Sequence, residues 1–363
     1  MPTSKTQNDP AAAILDYLSA SNASRAIAQM HISGAGAVAE LEAKLRRHYG
    51  MAHALCVSNA STGLLAIALA LGRRRSEFIT TPYTYGASLS GWLLRDNRPV
   101  FADIDPMTLT LSPESVSTVI SRKTKAILGV DIFGSPCDSK ALRKIADEHG
   151  LWYVADCAQS LGAFRDGRPA SCDADALVVS FTTGKAVFAG EGGAVVTNNA
   201  DLYQKLLWFT QHPLRQRREL GLMLSNEFAL NARIHPMAAV WANAVFDDSL
   251  QRVAKQRKVW FDLTDIINTT GMTEKIDYSS KTIKPSFFRF TAAWEKKNRK
   301  RELEEEMLLH GHDIRIEPAP VTLLYRQPAF LAQYRRKIGE RRASCLNAEA
   351  QVKRRFCIEL TQN

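Results

Sequence analysis

The sequence predicts an α/β fold: a large domain with a mostly parallel sheet covered by helices on both faces, plus a smaller C-terminal α+β domain. Three observations carry that expectation. Over residues 50–200, short apolar or β-branched runs alternate with helix-like segments, the pattern of strands joined through helices. Many of these runs are apolar at successive positions, as in LWYVA at 151–155, so both faces of the sheet must be covered. Polar residues stand directly after the runs, where such sheets collect their ligands: Asp156 closes one run and Tyr85 follows another. At 363 residues the chain is long for one compact unit. The reading divides it into a flexible tail (1–10), a large domain (11–245) and a small domain (246–363).

The elements follow in order. Ala11–Ala20 and Ala35–Tyr49 read as helices, the second with Val38, Leu41 and Leu45 on one face and Gly50 at its end. His53–Val57 is a strand, and a small polar turn, Ser58–Gly63, leads into an apolar helix from Leu64 to Leu71. Strand, turn and helix in that order aim free backbone N–H groups at an anion. The hydroxyls of Ser61 and Thr62 can add bonds there; a plain N-cap by Ser61 or Asn59 is the alternative. Glu77–Thr81, Pro99–Ile104, Lys125–Val130 and Leu151–Ala155 read as strands, with helices at Ser112–Ile120 and Ser139–His149 between them. Leu202–Thr210 is helical, Gln211–Arg218 reads as a polar, basic loop, and a long helix runs from Pro236 towards Phe261. Ser286–Phe290 and Asp313–Glu317 are strands, Lys296–His310 and Asn347–Arg355 helices, and Cys357–Leu360 a last strand-like run.

Composition narrows the partners. The apolar share of 45% is that of a soluble globular protein. No apolar run approaches the ~20 residues of a membrane span. The polar start, MPTSKTQNDP, has no signal-peptide core. The six cysteines are scattered without metal-ligand spacing, so a cytoplasmic protein with reduced thiols and no metal is expected. A formal charge of +10 raises the question of nucleic acid. The densest basic runs, Lys296–Arg301, Arg335–Arg342 and Lys353–Arg355, lack the interleaved aromatics of a stacking platform. They read as solvated helix faces, and the positive field also suits an anionic small substrate. Neither a nucleic acid nor a membrane is expected as a partner.

The stretch around which this order turns is Val178–Thr197, VVSFTTGKAVFAGEGGAVVT. Two β-branched runs flank a short turn that presents Lys185 and a glycine-rich turn, Gly190–Gly193. Glycine accepts the backbone angles such turns require. A lysine fixed among apolar neighbours loses its proton more readily than a free one, and a neutral amine can form a Schiff base with an aldehyde. Taken alone, Lys185 reads first as a surface lysine in a loop between strands.

Ser180-Phe181, Lys185 five residues after the serine, then Gly190-Glu191-Gly192-Gly193 and a β run resemble the DegT/StrS family of pyridoxal-phosphate-dependent sugar aminotransferases. The resemblance extends from about Ile32 to Ala329. It implies pyridoxal 5'-phosphate as cofactor, bound through Lys185. The Ser58–Leu71 segment matches the family's phosphate-binding turn, with Ala60 where glycine is common and Ser61 where threonine is usual. Tyr85 falls where an aromatic residue stacks on the cofactor ring. Asp156-Cys157-Ala158-Gln159 resembles Asp-x-Ala-Gln, which implies a carboxylate at the ring nitrogen and an amide at the phenolic oxygen; Ser180 matches a serine on the phosphate. A charge at the nitrogen makes the ring an electron sink. Asn231-Ala232-Arg233 resembles an Asn-x-Arg whose asparagine reaches the phosphate of a neighbouring subunit, implying a homodimer with shared sites.

The resemblance implies an aminotransferase that moves an amino group, from glutamate, to a keto sugar, likewise a nucleotide-linked one, or to a cyclitol ketone. Lys185 would shuttle the proton. The alternatives are a sugar dehydratase of the same fold, in which histidine replaces that lysine, and a non-catalytic regulatory protein that keeps the cofactor. Three features depart from the pattern: Asp131 stands where many members carry histidine, Gln211–Arg218 is unusual, and the last strand-like run lies close to Asn363, where members continue with a helix.

Overall fold

The computed structural model describes residues 9–23, 33–223, 226–277, 282–332 and 344–361. Of the expected tail only residues 9 and 10 are among them, and the basic run Arg335–Arg342 lies outside the described residues.

In chain order the strands are His53–Val57 (β1), Glu77–Thr80 (β2), Arg98–Phe101 (β3), Thr124–Val130 (β4), Trp152–Asp156 (β5), the short pair Phe164–Arg165 (β6) and Arg168–Pro169 (β7), Ala176–Ser180 (β8), Gly193–Thr197 (β9), Ile283–Lys284 (β10), Phe290–Ala293 (β11), Ile314–Pro318 (β12) and Arg355–Leu360 (β13). The helices are Pro10–Ala23 (α1), Ala37–Tyr49 (α2), Ala60–Ala70 (α3), Ala87–Leu94 (α4), Pro113–Val119 (α5), Ser139–His149 (α6), Ala200–Thr210 (α7), Pro213–Leu220 (α8), Pro236–Thr269 (α9), Lys300–Leu309 (α10) and Leu346–Arg354 (α11).

The central sheet has the order β1-β9-β8-β5-β4-β2-β3. Only β9 runs against its neighbours; the pairs β8–β5, β5–β4, β4–β2 and β2–β3 are parallel. Because successive side chains leave a strand on opposite faces, the apolar runs feed two cores. Ile79, Ile127, Leu177 and Val196 enter one, under Leu41 and Leu45 of α2, Val116 of α5, Leu142 of α6 and Phe246 of α9. Phe78, Leu128, Val178 and Val195 enter the other, with Leu64 and Ile67 of α3, Trp92 of α4 and Leu206 of α7. α3 and α4 cross closely at Gly91, where a Cβ would stand 2.5 Å from the Leu65 Cα.

α9 carries the chain from the first core to a third. There Trp260, Leu263 and Ile267 pack on Leu303 and Met307 of α10 and on the antiparallel sheet β11-β13-β12. Residues 321–332 and 344–352 return to the second core, through Leu323, Leu324 and Tyr325 and through Ala348.

Two expectations change. Residues 213–218 of the expected Gln211–Arg218 loop belong to α8, which runs on to Leu220: Pro213 occupies the first turn, the His212 ring caps the Leu214 amide, and Gly221 ends the helix at φ 63°. Its charged sequence hid a buried face, on which Arg215 forks onto Glu42 at 2.8 and 3.0 Å. The expected strand Ser286–Phe290 begins only at Phe290, because Phe287 takes a left-handed φ of 49° and breaks the extended run.

Candidate active site

The site forms at the carboxyl ends of the parallel strands. Beyond β1, Asn59 caps α3: its Oδ1 accepts the Thr62 amide and the Thr62 hydroxyl, both at 2.9 Å. The first intrahelical bond runs from the Gly63 amide to the Asn59 carbonyl. The amides of Ala60 and Ser61 precede it and stay open at the positive end of the helix. Thr62 is spent on the cap, and Ser58 also donates to its hydroxyl at 3.1 Å, so Ser61 is the hydroxyl left to the cavity. Gly193 lets β9 lie against this turn, since a Cβ there would stand 2.7 Å from the Ala60 nitrogen.

Asp156 is the last residue of β5, in register with Val130 and Val178. It is buried; Oδ2 accepts the Ser88 hydroxyl at 2.7 Å and Oδ1 the Ala158 amide at 3.0 Å. Burial pushes its carboxyl above the ordinary range, while Ser88, the Ala158 amide and the Lys185 charge pull it back. Gln159 is pinned by the Phe133 amide on Oε1 at 2.6 Å and by the Ser286 hydroxyl on its carbonyl at 2.8 Å. Its Nε2 is then the donor presented by the side chain. Ser180 ends β8, its hydroxyl 3.1 Å from that of Thr182.

Lys185 sits in the turn between β8 and β9, after Gly184 at φ 81°, with its amide on the Thr182 carbonyl. Nζ lies 4.2 Å from the centroid of the Phe288 ring. Burial lowers the Lys185 pKa; Asp156 raises it again and Arg289 lowers it further. Tyr85, 73% exposed, stands at the rim.

Ala60, Ser61, Tyr85, Asp156, Gln159, Ser180 and Lys185 all line one cavity of about 370 Å³. The open amides of a helix start suit a phosphate, a buried carboxylate suits a protonated ring nitrogen, and a lysine whose pKa burial lowers suits an aldehyde. The donor set therefore fits pyridoxal 5'-phosphate. Asn231 is not brought into this cavity. It takes φ 51°, accepts from Arg233, and lies one residue before Ala232, whose carbonyl receives the Ser58 amide at 2.8 Å. Its segment thus docks beside the phosphate turn.

Sequence reasoning missed Ser88, Ser286 and Phe288, which fix Asp156, Gln159 and Lys185 from distant parts of the chain; no local pattern marks such contacts. A second cavity, of about 690 Å³, shares Gln159 and Lys185 with the first. Among the described residues no group of His, Cys, Asp and Glu is arranged to hold a metal ion, and no helix is long and apolar enough to cross a membrane.

Comparison with known proteins agrees with this geometry. The sequence model of the DegT/DnrJ/EryC1/StrS aminotransferase family matches residues 19–363. The GDP-perosamine synthase of Escherichia coli O157:H7 is 27% identical over 301 residues, 82% of this chain and 80% of that protein. The GDP-perosamine synthase of Vibrio cholerae is 37% identical over 156 residues, and the match spans 43% of this chain but only 42% of that protein's length. The solved structure of DesI in the presence of its TDP-sugar product superposes with a TM-score of 0.73 at 27% identity, covering 97% of this chain and 86% of that one. The chain belongs to the DegT/DnrJ/EryC1/StrS family of aminotransferases, whose cofactor is pyridoxal phosphate.

Proposed function

We propose that the protein transfers an amino group from an amino-acid donor, glutamate, to a keto sugar carried on a nucleotide, with pyridoxal 5'-phosphate held at Lys185. The observation that carries this reading is a single cavity lined by Lys185, Asp156 and the open start of α3. The perosamine synthases and the TDP-sugar-bound structure support the acceptor class.

When bound, the cofactor supplies an aldehyde and an electron-withdrawing ring. The amides of Ala60 and Ser61, with the hydroxyls of Ser61 and Ser180, hold the phosphate. Asp156 keeps a proton on the ring nitrogen, and Ser88 holds that carboxylate in place. Gln159 Nε2 donates to the phenolic oxygen, and Tyr85 covers the ring from the rim. Burial lowers the Lys185 pKa, so Nζ would be the amine that holds the aldehyde and the base that moves the proton at the substrate carbon. Borohydride reduction followed by peptide mass analysis tests the reading. The pyridoxyl group is expected on Lys185; its appearance on another lysine, or no cofactor uptake after reconstitution, would overturn it.

The active unit in this reading is a cytoplasmic homodimer whose large and small domains divide within α9. Met223 and Phe228 are 93% and 98% exposed just ahead of Asn231, an apolar strip suited to a second copy of the chain. Asn231 would then complete the phosphate shell of the partner. Mixing the inactive variants Lys185→Ala and Asn231→Asp should restore activity, because a hybrid dimer has one site free of both defects. No recovery despite demonstrated subunit exchange would rule out the shared site.

A further inference from the structure

We infer that Arg289 receives an oxyanion group of the substrate, a carboxylate of the amino donor or a phosphate of the acceptor, in the 690 Å³ cavity beside Lys185. The inference rests on the amino-transfer reading above. A substrate must meet Lys185 from a space the cofactor does not fill, and this cavity meets that need: it shares Lys185 and Gln159 with the cofactor cavity yet has walls of its own. Those walls bring two further cations, Arg252 and Arg289, and a set of aromatic rings. Such a lining answers an anionic substrate with an apolar body.

Of the two arginines, Arg289 is the one tied to the reacting amine. Its Cζ lies 5.9 Å from the centroid of the Phe288 ring, the same ring that Lys185 Nζ approaches at 4.2 Å. One rigid ring thus spaces the two cations. The Arg289 amide donates to the Phe133 carbonyl at 3.3 Å, and the Phe133 amide holds Gln159. The backbone of Arg289 is therefore fixed to the turn that orients a residue of the cofactor cavity.

Its present partner is weak. Arg289 pairs with Glu359 at 3.1 Å, and the two side chains are 37% and 53% exposed. An exposed pair of this kind contributes little, so a substrate oxyanion that accepts from both arms of the guanidinium can replace Glu359. The same positive charge lowers the Lys185 pKa, and an anion bound at Arg289 would partly cancel that effect.

The test compares wild type, Arg289→Ala, Arg289→Lys and Glu359→Gln as full-length holoprotein. Calorimetry follows the binding of two non-reacting probes, glutarate for a donor carboxylate and inorganic pyrophosphate for an acceptor phosphate. Arg289→Ala should weaken one probe at least tenfold, Arg289→Lys should recover part of the loss, and Glu359→Gln should bind that probe more tightly. Loss of glutarate alone assigns the donor carboxylate, and loss of pyrophosphate alone the acceptor phosphate. Removing a neighbouring positive charge should also move the visible-band titration of Arg289→Ala to higher pH, which a merely structural role would not do. Binding of both probes within twofold of wild type in Arg289→Ala, or in Glu359→Gln should the alanine variant fail to fold, overturns the inference. Failure of the wild-type protein to react with any amino donor would instead overturn the amino-transfer reading, and the probe affinities would still report on Arg289.

Discussion

Asp131 and Asp156 are the same residue type at neighbouring strand ends, and their surroundings give them opposite tasks. Asp131 follows β4 and Asp156 closes β5, with the Asp131 amide on the Asp156 carbonyl at 3.1 Å. Both are buried, at 1% and 6% exposure, and burial pushes both carboxyls upward. The difference lies in the donors. Asp131 accepts from the Cys137 amide and from the side chains of Cys157, Ser160 and Ser171. Both residues line the cavity with Lys185, but Asp156 accepts from Ser88 and the Ala158 amide alone. A buried carboxylate answered by four donors holds the fold together; one answered by two keeps acceptor capacity for a ligand. Ser160 and Ser171 thus tie the Asp131 side chain to the protein itself.

Breaking the pair at Asp156 should have the largest effect. Asp156→Ala removes the charge that the proposed function places at the ring nitrogen, and contacts of this kind are worth about 2–5 kcal/mol. The half-reaction with glutamate, followed by stopped-flow absorbance, should slow by roughly thirtyfold to a few thousandfold. An unchanged rate would remove the functional half of the comparison. Asp131→Ala should act on stability instead. It leaves buried hydroxyls and an amide without their acceptor, at about 1–3 kcal/mol for a buried group, so urea unfolding should show a loss of roughly 2–4 kcal/mol. The folded fraction should keep its half-reaction rate within about tenfold. A stable but inactive Asp131→Ala would reverse the two assignments.

The contrast was only half legible in the sequence. LWYVA running into Asp156 marks a buried strand with a polar end, and the structure ends β5 at that residue. The Ser139–His149 helix was fully legible, because its apolar spacing, the cap at Asp138 and Gly150 at its end are all local. Seven of the residues that line the cavity could be named from motif order, since each ends or follows a strand or starts a helix. What fixes them could not: Ser88 reaches Asp156 across 68 positions and Ser286 reaches Gln159 across 127. α8 was illegible for the same reason. Arg215 looks solvated in QHPLRQRR, and its buried partner Glu42 lies 173 positions away.

The finest test of the comparison replaces each aspartate by asparagine in the cofactor-free protein and reads stability against pH. For Asp156 the sign follows from the raised folded pKa. The native state holds the proton more tightly than the unfolded chain, whose aspartate titrates near ~3.9. The protonated carboxyl therefore contributes stability that is fully present below that value and is lost as pH rises through the folded pKa. At neutral pH the buried charge is a net cost, offset in part by Ser88, the Ala158 amide and Lys185. Asp156→Asn removes the charge and keeps one acceptor, so near neutral pH the variant should be more stable by roughly 1–2 kcal/mol. That gain should shrink as the pH falls through the raised folded pKa of Asp156, where the wild-type carboxyl also becomes neutral. Charge alone predicts the same gain at Asp131, because burial raises its pKa in the same direction. The donors decide otherwise: an amide has one acceptor oxygen, and its NH₂ would meet some of the groups that now donate to Asp131. Asp131→Asn should therefore lose stability at the pH where Asp156→Asn gains it. Urea unfolding of both variants at an acid and a neutral pH reads the two signs, and a loss at both positions at neutral pH would show that Asp156 is as fully engaged by the protein as Asp131.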